Sequence, residues 1–266
     1  MHFDCASDAL RSVSGYSYKK LKRIRMSKNQ LFKKIKKINE LLSRRFGIPE
    51  KNRKIPDPVD LLIATILSQN TNDRNSYKAF KNLKDNFRNW GELERLPASR
   101  IERYIKVAGL SKQKSKAIKG FLRQILKKRG KISLDYLDEK SSSEVIDDLT
   151  GYNGIGIKTA TCVLLFSMER NICPVDTHVH RTTNRMGLVN TKSPDKTFYI
   201  LNENFPEGIA HQFHTNLIKL GRSICKPANP VCSVCPVVKI CEYPDKNFQQ
   251  ISKNKTGDFM LLDNVS

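Results

Sequence analysis

Long apolar runs are missing from this 266-residue chain. Its densest apolar stretch, residues 59–67, is far shorter than the ~20 residues that cross a bilayer. The N-terminus also lacks the apolar core of a secretion signal. These absences predict no membrane partner and an intracellular, reducing compartment: cytoplasm or nucleoid in a prokaryote, nucleus in a eukaryote. No alternating strand pattern and no internal repeat is found, so the expected fold class is all-α. Acidic residues are scarce, with 26 Asp and Glu against 48 Lys and Arg, a formal charge of +22 and a pI near 9.8. That excess predicts a polyanionic partner, most often nucleic acid. Ribosomal and membrane-surface proteins share this balance, so charge alone favours nucleic acid without excluding them.

Cysteine is sparse until the C-terminal part, where Cys225, Cys232, Cys235 and Cys241 follow the pattern C-x6-C-x2-C-x5-C. Four thiolates this close in sequence suit an iron–sulfur cluster or a structural zinc. Two disulfides are the bland alternative, disfavoured because nothing else in the chain reads as secreted. Pro227, Pro230 and Pro236 restrict the loop, and Lys226 and Lys239 offset part of the thiolate charge. Cys5, Cys162 and Cys173 are scattered, and Cys162 falls in an apolar run that reads as core.

The first 50 residues carry thirteen basic and four acidic side chains. Leu31, Ile35, Ile38, Leu42 and Phe46 recur there at helical spacing. An amphipathic helix with a basic outer face is expected, stopped by Gly47. Residues 48–58 read as a linker. Beyond them the apolar pattern marks successive helices. One follows a cap at Asn72 or Asp73, with Tyr77, Phe80 and Leu83 on one face. Another begins at Leu93–Leu96 with Pro97, and a short one ends at Gly109. The helix over 112–128 is expected to bury Ile118, Leu122 and Ile125 and to turn its lysines outward. A further helix starts at Ser142 or Ser143.

The segment Leu149-Thr-Gly-Tyr-Asn-Gly-Ile-Gly-Ile-Lys-Thr-Ala160 joins two helices through a glycine turn. Gly154 and Gly156 allow positive φ and close backbone approach. Amides at the start of the second helix would then suit a phosphate. An ordinary helix–helix turn is the alternative. Lys158 stands at that helix start, where the macrodipole and partial burial both disfavour a lysine's charged form, as a nucleophilic amine requires. A phosphate-binding lysine would be equally natural there. Asp176, in Pro174-Val-Asp-Thr-His-Val-His-Arg181, is placed to cap a helix. It also lies eighteen residues after Lys158, a spacing that allows a helix and a return loop to bring the two to one cleft. His178 and His180 are two residues apart and face different sides of a helix, which argues against a metal pair.

The hairpin G-I-G-I-K-T-A, the P-V-D-T-H-V-H-R segment and the cysteine loop occur in this order. Together with L-L-I-A-T-I-L-S-Q-N-T-N-D at 61–73 and A-G-L-S-K-Q-K-S at 108–115, they resemble the endonuclease III branch of the helix-hairpin-helix DNA glycosylases. The resemblance covers about Asp57 to Tyr243. It implies two helical domains with a DNA cleft between them. Residues 50–170 would form a six-helix barrel holding the hairpin at about 145–166. Residues 28–49 and 171–246 would form the cluster domain. Residues 1–27 would be a disordered basic N-terminus, and 247–266 a tail.

The resemblance also implies a 4Fe-4S cluster on the four cysteines. Lys158 would attack C1′ of a damaged nucleotide and Asp176 would assist, giving a Schiff base and β-elimination. Gly154, Gly156 and Thr159 would contact DNA, and Gln69 or Asn70, with Leu110, would fill the gap left by the extruded base. The partner would be duplex DNA carrying a damaged base or abasic site, bound by a monomer. Two positions depart from the family pattern. Tyr152-Asn153 replaces the usual Leu-Pro before the hairpin glycines, and only Lys226 is basic between the first two cysteines. The expected function is a bifunctional glycosylase and abasic-site lyase acting on oxidised pyrimidines. A mismatch glycosylase for T·G or A·8-oxoguanine is one alternative. A non-catalytic iron–sulfur DNA-binding protein is another, disfavoured by the presence of both Lys158 and Asp176.

Overall fold

The computed structural model describes residues 26–51, 54–249 and 265. Cys5 and the N-terminal stretch read as disordered fall outside these residues, apart from Met26 and Ser27, and so does most of the tail. Among the described residues the regular elements are all helical. They divide into two compact units. One contains the described residues up to Glu50 and those from Asn171 to 249, the other Lys51–Arg170 together with Val265.

Helix α1 (Lys28–Phe46) opens with a capping box, in which Ser27 and Gln30 satisfy each other's backbone N–H groups. Leu31, Ile35, Ile38 and Leu42 form its buried stripe, while Lys28, Lys33, Lys36 and Lys37 face solvent. Gly47 ends it at φ 79°, with its N–H on the Ser43 carbonyl. The predicted basic amphipathic helix is therefore present. It begins at Lys28.

The second unit is built around α2 (Pro58–Ser68). Asp57 caps it by accepting from the Val59 and Asp60 N–H groups, and Pro58 takes the first helical position. Val59 and every residue from Leu61 to Leu67 are buried, so this helix is apolar on all sides, as a central helix must be. Each such large side chain contributes on the order of 1.5–3 kcal/mol by leaving water. Around it come α3 (Asp73–Asn86, capped by Asn72), α4 (Trp90–Arg95), α5 (Ala98–Ile105) and α6 (Ser111–Arg129). The expected start at Leu93 is too late: Asn89 caps α4 by accepting from the Glu92 N–H, and Pro97 instead precedes α5. Tyr77 is only partly covered, and Ser76 and Ala79 complete the buried face of α3.

Helix α7 (Ser142–Thr150) starts at Ser142, within the expected choice, behind a capping box from Ser141 to Glu144. Helix α8 (Ile157–Phe166) follows a six-residue turn and packs against both α7 and α2. Cys162 is fully buried in α8.

The remaining helices belong with α1. They are α9 (Thr177–Arg185), α10 (Pro194–Asn202) and α11 (Ala210–Ser223). Helix α11 packs on α1 and α9, and Asn216 Nδ2 donates to the Gly47 carbonyl at 3.1 Å. The cysteine loop leaves α11 through two short 3-10 turns, Cys232–Val234 and Val238–Ile240. No helix among the described residues is long and apolar enough to cross a membrane.

Candidate nucleic-acid interface and cysteine loop

The hairpin turn needs Gly154 for two reasons. Its φ is +87°, and an added Cβ would come within 2.7 Å of the Ala117 Cβ on α6. Gly156 differs from the expectation. Its backbone is extended (φ −102°, ψ 176°), and an added Cβ would meet nothing within 4 Å. Its smallness is therefore not demanded by packing and leaves the backbone open to an approaching group. No side chain caps α8. The Gly156 carbonyl receives the Thr159 and Ala160 N–H groups. Thr159 is only 2% exposed, so its side chain belongs to the core and its place among the DNA contacts is not supported.

Lys158 sits half-buried in the first turn of α8. Tyr152, where the family pattern has leucine, is buried edge-on to Phe121, with Lys128 Nζ 4.6 Å from its ring centroid. The turn still closes, with the Ile155 N–H on the Tyr152 carbonyl.

Two other loops of the same unit carry expected contacts. After α2, Gln69 Nε2 donates to the hairpin's Gly154 carbonyl at 3.5 Å, and Asn70 is exposed with φ 50°. Before α6, Leu110 is 51% exposed with φ 48°. A left-handed backbone costs a non-glycine residue roughly 1–2 kcal/mol. It clusters at functional sites, and Asn70 and Leu110 both adopt it.

Sequence reading missed Lys114. Instead of facing solvent it is 2% exposed and donates from Nζ to the Leu67 carbonyl at 2.8 Å and the Ala108 carbonyl at 2.7 Å. Burial pushes its pKa down to about 8. The signal was present: Lys114 continues the buried stripe of Ile118, Leu122 and Ile125 by one helical turn.

In the other unit, Asp176 caps α9, its Oδ1 accepting from the Val179 N–H at 2.8 Å. The histidines are held apart by their partners. His180 Nδ1 pairs with Thr197 Oγ1 at 2.7 Å, and His178 Nδ1 lies 3.2 Å from Arg181 Nη2. Burial lowers the pKa of both.

The four loop cysteines are unbridged and only partly exposed. Burial first, and the neighbouring Cys225, Cys241 and Cys232 thiols with it, push the Cys235 thiol up to about 12. The four are thus close enough for one thiolate to oppose the ionisation of the next. Four thiols are chemically suited to a strongly cationic core, whose charge would favour their ionisation. Among the described residues no group of three or more His, Cys, Asp or Glu is arranged to hold a metal ion.

Two arginines one turn apart on α9 grip this loop. Arg185 Nη1 donates to the Lys226 carbonyl at 2.7 Å and lies 3.4 Å from Cys225 Sγ, while Nη2 donates to the Pro227 carbonyl at 2.8 Å. Its guanidinium stacks 4.3 Å from the Tyr243 ring centroid. Arg181 donates to the carbonyls of Cys225 (3.0 Å) and Gly221 (2.8 Å). The expected counter-charges were lysines, but these arginines make the contacts.

Residues 63–207 match the family model described as HhH-GPD superfamily base excision DNA repair protein. The endonuclease III of Thermotoga maritima is 34% identical over 206 residues, covering 77% of this chain and 92% of that protein. The endonuclease III of Sulfolobus acidocaldarius is 31% identical over 222 residues, covering 81% and 95%. A solved non-covalent endonuclease III–DNA complex superposes with a TM-score of 0.66 at 26% identity, covering 82% of this chain and 96% of that one. The chain therefore belongs to the endonuclease III family of the helix-hairpin-helix base excision DNA repair superfamily.

Proposed function

We propose that this protein is a bifunctional DNA glycosylase and abasic-site lyase that removes oxidised pyrimidines from duplex DNA. The observation that carries the reading is the placement of Lys158. It stands in the first turn of the second hairpin helix, and no ion pair with a described residue engages its amine. In the same unit Asn70 and Leu110, like Glu169, are exposed residues of left-handed backbone.

Chemistry follows from these roles. The amides around Gly156 and the start of α8 hold a backbone phosphate beside the lesion. Extruding the target base costs a few kcal/mol. Asn70 or Gln69, with Leu110, offsets part of that cost by filling the gap. The unprotonated Lys158 amine attacks C1′, and the base departs with the glycosidic electron pair. Asp176 assists by accepting the amine's proton or by stabilising charge on the sugar. The C1′–O4′ bond then opens, O4′ taking a proton, and the Schiff base so formed acidifies the C2′ proton. Its removal expels the 3′ phosphate and cuts the strand. Cys225, Cys232, Cys235 and Cys241 would hold a 4Fe-4S cluster, which when bound crosslinks the loop that Arg181 and Arg185 grip.

The test uses the purified protein with duplexes carrying thymine glycol, dihydrouracil, uracil, T·G or A·8-oxoguanine, and with an abasic duplex under borohydride. Excision of the oxidised pyrimidines together with a trapped covalent complex supports the reading. Excision only of mismatched bases, or no trapped complex, overturns it.

A further inference from the structure

The Lys114 side chain joins the end of α2 to the turn before α6. The Leu67 carbonyl belongs to the last turn of α2, three residues before Asn70. The Ala108 carbonyl ends the turn that leads through Gly109 to Leu110. Both are carbonyls at helix ends, which lack a partner within their own helix. One buried ammonium accepts the job of pairing both, and the Lys114 backbone N–H also donates to the Leu110 carbonyl at 3.0 Å. A left-handed non-glycine backbone persists only where its surroundings over-determine it. Of the four described non-glycine residues with such a backbone, two, Asn70 and Leu110, lie just beyond the two carbonyls that Lys114 ties together. A lysine only 2% exposed among apolar helices is costly unless its donors are used. An apolar side chain would fill the stripe of α6 without that cost.

We propose that Lys114 is a positioning residue for lesion engagement: its side chain locks the Gln69–Asn70 turn and Leu110 at a fixed spacing, so that both enter the duplex together. This rests on the glycosylase reading above. It adds a residue that touches neither DNA nor the reacting atoms.

The experiment compares wild type with Lys114→Met, which keeps the length and removes the donors, well below the melting temperature of each. Amide hydrogen exchange at Asn70 and Leu110 should quicken by about tenfold or more, the loss of one locking contact. Single-turnover excision from a lesion duplex should fall about tenfold, with a smaller 2-aminopurine signal for base extrusion. Borohydride trapping on single-stranded abasic DNA should stay within about twofold, because no stack has to be penetrated there. With Leu110→Ala added, the losses should be less than multiplicative, since both changes remove one function.

The proposal is overturned by unchanged duplex excision, by an equal loss on single-stranded DNA, or by fully multiplicative losses. Should Lys114→Met fail to fold, Lys114→Gln, which keeps one donor group, is put through the same comparison. A wild type inert on every lesion overturns the glycosylase reading instead. Exchange at Asn70 and Leu110 then decides the lock by itself, and unchanged exchange refutes it.

Discussion

Gly154 is pressed against Ala117: a Cβ on the glycine would stand 2.7 Å from the alanine's, closer than carbon atoms pack. The hairpin turn and α6 are thereby held at backbone-contact distance. Gly154→Ala should cost about 2–4 kcal/mol, from overpacking plus a left-handed φ. Gly156→Ala should change stability by less than ~0.5 kcal/mol, because its φ is ordinary and its space open. It should nevertheless weaken DNA binding if a phosphate approaches there. Denaturant melts and duplex titrations of both variants check the contrast.

Lys158→Gln should abolish borohydride trapping and strand cleavage while leaving the fold and DNA binding, because it removes the amine and keeps a similar size. Trapping at the wild-type rate would show that another amine is the nucleophile.

Asp176 offers a clean separation of cap from catalysis. Asparagine caps helices as well as aspartate does, so Asp176→Asn should keep α9 within about 0.5 kcal/mol while slowing base removal by ~10²-fold or more. Asp176→Ala should lose the activity and about 1 kcal/mol besides. Equal activity in Asp176→Asn and wild type would leave the residue as a cap alone. Thermal melts and single-turnover excision on a thymine-glycol duplex make the comparison.

Arg185→Ala removes donors to two carbonyls and a contact with Cys225 Sγ. The expected result is a lower iron content per protein and faster bleaching of absorbance near 410 nm in air, with α9 still helical. Arg185→Lys should rescue little, because an ammonium cannot reproduce the planar fork. Zinc in stoichiometric amount and no iron, in anaerobically prepared wild type, would contradict the cluster assignment.

Asp148 receives the Tyr136 hydroxyl at 2.9 Å and ion-pairs with Lys140, with Arg129 at 3.9 Å. Burial raises its pKa, but these partners outweigh burial and hold it below the usual carboxylate range. Its folded pKa is thus lower than its unfolded pKa of about 3.9. The stability it contributes is present above that pH and is lost as pH falls through the folded value. Asp148→Asn should therefore be less stable at pH 7 and should show a shallower loss of melting temperature between about pH 4 and pH 2. Parallel acid limbs for the two proteins would refute the linkage.

Much of this protein was legible in its sequence. Helical class follows from periodicity alone, because a stripe such as Ile35, Ile38 and Leu42 must be buried somewhere. Caps such as Asn72 are local, made within three residues, so composition reveals them. The hairpin, the cysteine loop and the Lys158 and Asp176 segments were visible as motifs for the same reason: their chemistry is written within a few neighbouring residues. Tertiary structure decided what depends on distant partners. Lys114 looks like one more surface lysine until α2 and the Ala108 turn supply its two carbonyl acceptors, 47 and 6 residues away. Arg185 looks like a generic helix cation until a loop 41 residues on closes over it. Gly154 and Gly156 read alike in sequence, and only the approach of Ala117 makes one of them obligatory. Local pattern specifies which residues turn inward, but what meets them there is set by packing between segments far apart in the chain.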